Sequence, residues 1–140
     1  MGFHERTSWA ALLSLLVSTA IYWWLVERQS SETGFWETMP TLTTIILSVI
    51  ATVVFSVIAV IIAKHATGAD EMRPDEREQL IELRGGYMGY WALNILIIVP
   101  LWLFFLDVPK ATLFHTIILT STVAGMVEHA TQIVRHRIGA

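Results

Sequence analysis

Four long runs without a single Asp, Glu, Lys or Arg dominate this chain: Thr7–Val26, Thr38–Ala63, Gly85–Leu106 and Ala111–Val127. A helix of roughly 17–25 apolar residues crosses the hydrocarbon core of a bilayer. Together the runs take up 85 of the 140 residues. A soluble domain of this size has no interior large enough to hide four such segments. A bilayer accepts them, provided each backbone amide and carbonyl is paired within a helix. The expected fold class is an all-α integral membrane protein. Four transmembrane helices form an antiparallel bundle in one domain over residues 1–140, with spans at about 7–26, 39–63, 86–106 and 111–134.

The same count excludes several classes. Charged residues make up 15% of the chain, against about 25% in an ordinary soluble domain. A soluble enzyme and a disordered chain are both excluded. The net charge of −3 offers no basic footprint for nucleic acid, so the bilayer is the expected partner. With no Cys in the chain, disulfides, thiolate-bound zinc and Cys-held iron–sulfur clusters are excluded. The first run continues through apolar Ile21–Val26 beyond the small residues Ser18–Ala20. A cleavage site normally ends the apolar stretch, so this run is expected to remain as a helix.

Charge also predicts topology. Of nine basic residues, Arg6, Lys64, Arg73, Arg77, Arg84, Arg135 and Arg137 fall on one side, and only Arg28 and Lys110 on the other. The positive-inside rule then places both termini and the middle loop in the cytoplasm. On the outer side, Asp107–Lys110 with Pro109 is a tight connection that makes the last two helices neighbours. Tyr22, Trp23, Trp24, Trp36 and Trp102 fall near the outer surface and Trp9 near the inner one, the distribution of an interfacial aromatic belt.

The stretch Lys64–Arg84 is the only sizeable polar segment. Its first part, His65–Pro74, reads as loop. Asp75 and Glu78 then have capping-box spacing, and Leu80, Leu83 and Tyr87 recur at helical spacing. The expectation is a short cytoplasmic amphipathic helix before the third span, with a bend at Gly85-Gly86. Asp75, Glu76, Arg77 and Glu78 form a candidate docking surface for a cytoplasmic partner or a sister subunit.

Asp75-Glu76-Arg77-Glu78, followed by Ile81, Arg84 and Tyr87-Met88-Gly89-Tyr90 opening a membrane span, resembles a family of small prokaryotic membrane proteins. Its members carry an Asp-Glu-Arg-acid stretch just before a late transmembrane helix. The resemblance covers about a tenth of the chain. It implies the same architecture in the cytoplasmic membrane of a bacterium or archaeon, and it implies no chemistry.

Small residues mark candidate helix contacts, because close approach and interhelical hydrogen bonds drive association in lipid. The first span has Ser14 and Ser18, the second Thr44, Ser48, Thr52 and Ser56, and the third the GxxxG pair Gly85 and Gly89. These seams serve packing within the bundle or between protomers. Pro100 is expected to kink the third span by freeing the carbonyl of Leu96. Asn94 is expected to bond another helix.

The fourth span is far more polar than the others. His115, Thr122, His129 and His136 recur every seven residues, with Ile118, Gly125 and Gln132 between them on one seam. His115 and His129 lie about 21 Å apart along a helix at 1.5 Å per residue, one near each membrane face. This arrangement resembles the ligand helices of membrane b-type cytochromes. It implies haem b as a cofactor, with His115, His129 and His65 as axial ligands and Gly125 making room for the macrocycle. Within one chain His65 is the only candidate partner for His129, and His115 has none, so a parallel homodimer would have to pair the fourth helices. A divalent-metal or proton-relay site would use Glu128, His129 and His65, since His titrates near neutrality and ligates metals readily.

Three functional expectations follow. The first is a small polytopic membrane protein acting through assembly, as a homo-oligomer or an accessory subunit of a larger membrane complex. The second is a haem or metal protein built on the fourth-helix seam. The third is a small proton or ion channel or transporter, although the two helix pairs show no inverted repeat. No nucleophile–base pair, phosphate loop or His-Glu-x-x-His motif offers a basis for enzyme activity.

Overall fold

The computed structural model describes residues 3–30, 34–65 and 75–138. They form five α-helices: α1 (Phe3–Gln29), α2 (Leu42–His65), α3 (Glu76–Leu96), α4 (Ile98–Phe105) and α5 (Lys110–Ile138). A single 3-10 turn, Phe35–Glu37, lies between α1 and α2. Four helices are long and apolar enough to cross a membrane when α3 and α4 are taken as one, Glu76–Phe105. The expected loop His65–Pro74 lies outside the described residues except for His65, which closes α2.

Apart from α2, the spans outrun their charge-free stretches. The 27 residues of α1 rise about 40 Å at 1.5 Å per residue, against a hydrocarbon core of about 30 Å. Their ends therefore carry Glu5, Arg6 and Arg28 in helical turns beyond the apolar core. Local chemistry sets where α2 and α3 begin. The Thr41 hydroxyl accepts from the Thr44 amide at 3.3 Å, an N-cap bond. Gln29, the last residue of α1, donates to the hydroxyls of Thr41 and Thr44 and accepts from the Thr41 amide. The end of one span thus holds the first turn of the next.

The capping box at α3 forms as expected. The Glu78 amide donates to Asp75 at 2.8 Å, and the Asp75 amide donates to Glu78 at 3.2 Å. The separate amphipathic helix does not form. α3 runs unbroken from Glu76 through Gly85-Gly86 to Leu96. A continuous helix keeps its backbone groups paired where the chain enters lipid, so the glycines do not interrupt α3. The break comes at Ile97, between α3 and α4, where Pro100 has no amide for the Leu96 carbonyl. α4 and α5 are joined by a tight turn with Asp107 at φ 55°.

The helices pack in the order α2, α1, α5, α3. Side-chain contacts fix their directions. Tyr22 meets His115 and Ser8 meets Gln132, so α1 and α5 are antiparallel. The end of α1 meets the start of α2 through Gln29, so this pair is antiparallel as well. The start of α1 meets the start of α3 through His4 and Glu82. Both described chain ends and the entry to α3 therefore share one end of the bundle.

α3 and α5 approach through the GxxxG pair. A Cβ on Gly85 would lie 2.4 Å from Gln132 Cγ, and one on Gly89 would lie 2.8 Å from Glu128 Cβ and 3.4 Å from the Ala124 carbonyl. Both glycines are buried. Of the two uses open to this pair, the structure employs it within the protomer. Ser48 and Thr52 likewise line a crevice facing α1 and α5. Their hydroxyls donate to the carbonyls of Ile45 and Ser48. Ser56, one turn further on, is half-buried.

These contacts order the glycines by tolerance. Gly89→Leu should destabilise the purified protein by about 1–3 kcal/mol through overpacking. Gly86→Ala meets nothing within 4 Å and should be neutral or stabilising by up to about 1 kcal/mol from helix propensity. Thermal unfolding in one detergent checks the ranking, and equal effects at the two positions would refute it.

Candidate functional site

The seven-residue seam of α5 faces inward along α1. His115 lies against Tyr22, and Gln132 lies against Ser8. Between them a Cβ on Gly125 would come within 3.0 Å of Leu15. Ser8, Leu15 and Tyr22 are themselves seven residues apart. A seven-residue period on two facing helices is the signature of coiled packing. Two polar nodes terminate this seam, one at each end.

The node at the end away from the termini is built on His115, which is fully buried. Its Nε2 lies 3.0 Å from the Thr38 carbonyl. A carbonyl only accepts, so Nε2 carries a proton and donates. Its Nδ1 lies 2.8 Å from the Tyr22 hydroxyl. In the neutral ring that nitrogen accepts from Tyr22. One imidazole thus ties α5 to α1 and to the segment leading into α2. Thr112 adds a bond from its hydroxyl to the Trp36 carbonyl at 3.0 Å.

Aromatic rings enclose the imidazole. Phe35 stacks on it with centroids 5.8 Å apart, and Trp23 and Trp36 lie at 5.5 Å and 6.0 Å. The expected aromatic belt therefore divides. Tyr22 and Trp23 turn inward onto His115, while Trp24 and Trp102 are exposed. Arg28 sits 3.9 Å above the Trp24 ring, a cation–π contact.

The node at the other end is centred on Gln132. Its side-chain oxygen accepts from Ser8 at 3.1 Å and from His129 Nδ1 at 3.2 Å. The next layer outward sets His4 and Arg137 against carboxylates. His4 Nδ1 lies 3.0 Å from Glu82, and His4 Nε2 lies 3.5 Å from Glu78. Arg137 lies 3.5 Å from Glu5. Sequence reasoning passed over His4. The signal was the acid pair Glu78 and Glu82, four residues apart on one helix face.

The residues expected to hold haem are not brought together as ligands. Both nitrogens of His115 are engaged, and an iron would have to displace Tyr22 or the Thr38 carbonyl. His65 is exposed at the end of α2, where its ring donates to its own Ile61 carbonyl at 2.9 Å. The expected metal set of Glu128, His129 and His65 fares no better. α2 packs on α1, whereas Glu128 lies in a groove of about 370 Å³ between α3 and α5, beside Gly89 and Tyr90. Among the described residues no three His or acidic side chains converge as a metal site. The physical reason is the packing order: α1 lies between α2 and α5. The docking residues also divide. Asp75 and Glu78 are used by the helix cap, while Glu76 and Arg77 are exposed beside Leu80 and Arg84.

No family model, curated protein or solved structure matches this chain.

The His115 node makes a direct prediction. Tyr22→Phe and His115→Phe should each destabilise the protein by about 1–3 kcal/mol, the cost of leaving a buried polar partner unpaired. The double variant should lose less than the sum of the two, with coupling of about 0.5–3 kcal/mol. Strict additivity in a denaturation cycle would show that the bond contributes nothing.

Proposed function

We propose that this chain works by assembly in the membrane, as a homo-oligomer or as an accessory subunit of a larger membrane complex. The contact surface is the outward face of α3. The observation that carries this reading is Asn94. It lies within an apolar span, yet its side chain is exposed. Among the described residues it makes one hydrogen bond, from Nδ2 to the Tyr90 carbonyl at 2.8 Å. An asparagine amide has a second N–H and an acceptor oxygen. In hydrocarbon those groups seek a partner on another helix.

The surroundings favour a protein partner. Tyr87, Tyr90, Trp91, Ile98 and Leu101 are exposed on the same span. Tyr87 and Trp91 pack edge to face with centroids 6.1 Å apart. Aromatic side chains are enriched at interfaces because they offer large apolar area and a polar edge. The small-residue pair of α3 is already used against α5, so Asn94 supplies the remaining specificity. The Lys and Arg bias supports an orientation with both termini in the cytoplasm of a bacterial or archaeal cell. In that orientation Glu76 and Arg77 face the cytoplasm, where a soluble partner can reach them.

Haem and ion transport have weaker support. His115 is consumed by its own node, and the hydroxyls of Ser18, Thr19, Ser48 and Thr52 are bonded to their own helix carbonyls. The test of assembly is the particle size in membranes extracted without detergent exchange, for wild type and Asn94→Leu. An interhelical hydrogen bond contributes about 0.6–2 kcal/mol, so the substitution should weaken association about 3- to 30-fold. A wild-type particle holding one copy and no other protein would overturn the proposal.

A further inference from the structure

The groove between α1 and α2 points to a bound lipid, a site separate from the α3 face. We propose that it holds one acyl chain of an anionic phospholipid, with the headgroup phosphate at Arg6. The groove has a volume of about 380 Å³. Ser14 and Ala63 are buried in its floor, and Leu13, Val17, Ile58 and Ile62 stand exposed along its rims. The Ser14 hydroxyl donates to the Ala11 carbonyl, which leaves the groove surface apolar.

Length and charge select the occupant. From Arg6 to Val17 the groove follows α1 for about 17 Å at 1.5 Å per residue. Half of a hydrocarbon core is about 15 Å. The groove therefore matches one leaflet and stops near the midplane, as an acyl chain does. A partner helix crossing the whole membrane would need a groove twice as long. Arg6, near the start of α1, is one of the residues that line the groove. Lys64, exposed, follows Ala63 on α2 at the same end. Arginine matches phosphate through paired N–H donors, and a basic residue at a membrane surface favours anionic lipid.

The test is native mass spectrometry of the full chain titrated with phosphatidylglycerol or phosphatidylcholine, for wild type, Arg6→Gln and Ala59→Phe. Ala59 lines the groove, so the phenyl ring fills it. Phosphatidylglycerol should form a single retained adduct with wild type at several-fold lower concentration than phosphatidylcholine. Arg6→Gln should weaken that adduct about fivefold, the effect of one basic residue at the surface, and weaken phosphatidylcholine less, because its choline cation offsets the phosphate charge. Ala59→Phe should abolish it. Equal binding of the two lipids, or an unchanged adduct in Arg6→Gln, would overturn the proposal. Loss of an oligomer in Ala59→Phe with the lipid adduct intact would also overturn it, by showing that a second copy fills the groove. Because Arg6→Gln adds no bulk, it decides the matter even where Ala59→Phe misfolds. A single-copy particle would defeat the assembly reading and leave this result untouched.

Discussion

A polar side chain in hydrocarbon must find a partner, and α5 carries more of them than any other helix. That constraint organises the bundle. Turning the seam of α5 inward brings His115, Thr122 and Gln132 out of contact with lipid. α1 supplies the matching groups, Tyr22 at one end and Ser8 at the other. α3 then closes on α5 through Gly85 and Gly89, whose missing side chains let the backbone approach Gln132 and Glu128. α2 has little polar demand of this kind. It attaches through Gln29 and Thr44 at one end, and only Thr44 and Ala63 are buried along its length.

The two nodes do different physical work. His115 is a neutral-capable bridge inside an aromatic enclosure, joining three chain segments through two hydrogen bonds. Its burial removes competition from water, so both bonds gain strength from the low local dielectric. The opposite node is edged by carboxylates, where His4 faces Glu78 and Glu82 and Arg137 faces Glu5. The His4 and Glu5 side chains are largely covered there, while Glu82 and Arg137 are exposed. These contacts fix which helix ends stand together.

Much of this was legible in the sequence, for reasons that can be traced to particular residues. Charge-free runs marked the spans because the bilayer penalises charge more strongly than any local preference. Asp75 and Glu78 marked the start of α3 because a capping box needs only local spacing, and Pro100 marked its break because a missing amide acts locally. The His seam was legible as a pattern and opaque as a role. A seven-residue period serves a ligand helix and a packing seam equally, and the difference lies on the opposing helix. The matching period of Ser8, Leu15 and Tyr22 on α1 carried that information. Gly85 reads in the sequence as a permitted bend, and in the fold its missing side chain permits close approach to Gln132. The packing order, which separates His65 from His129, is a tertiary property that no single span records.

The seam turns His115, Thr122 and Gln132 of α5 inward, whereas Asn94 of α3 is a carboxamide turned outward from an apolar span. The central claim is that another protein helix meets it there. The most direct measurement is a photo-reactive residue placed in turn at positions 83 to 101 in intact membranes. The account predicts protein adducts recurring with helical period at 87, 91, 94 and 98. Adducts to lipid alone at all of these positions would contradict it.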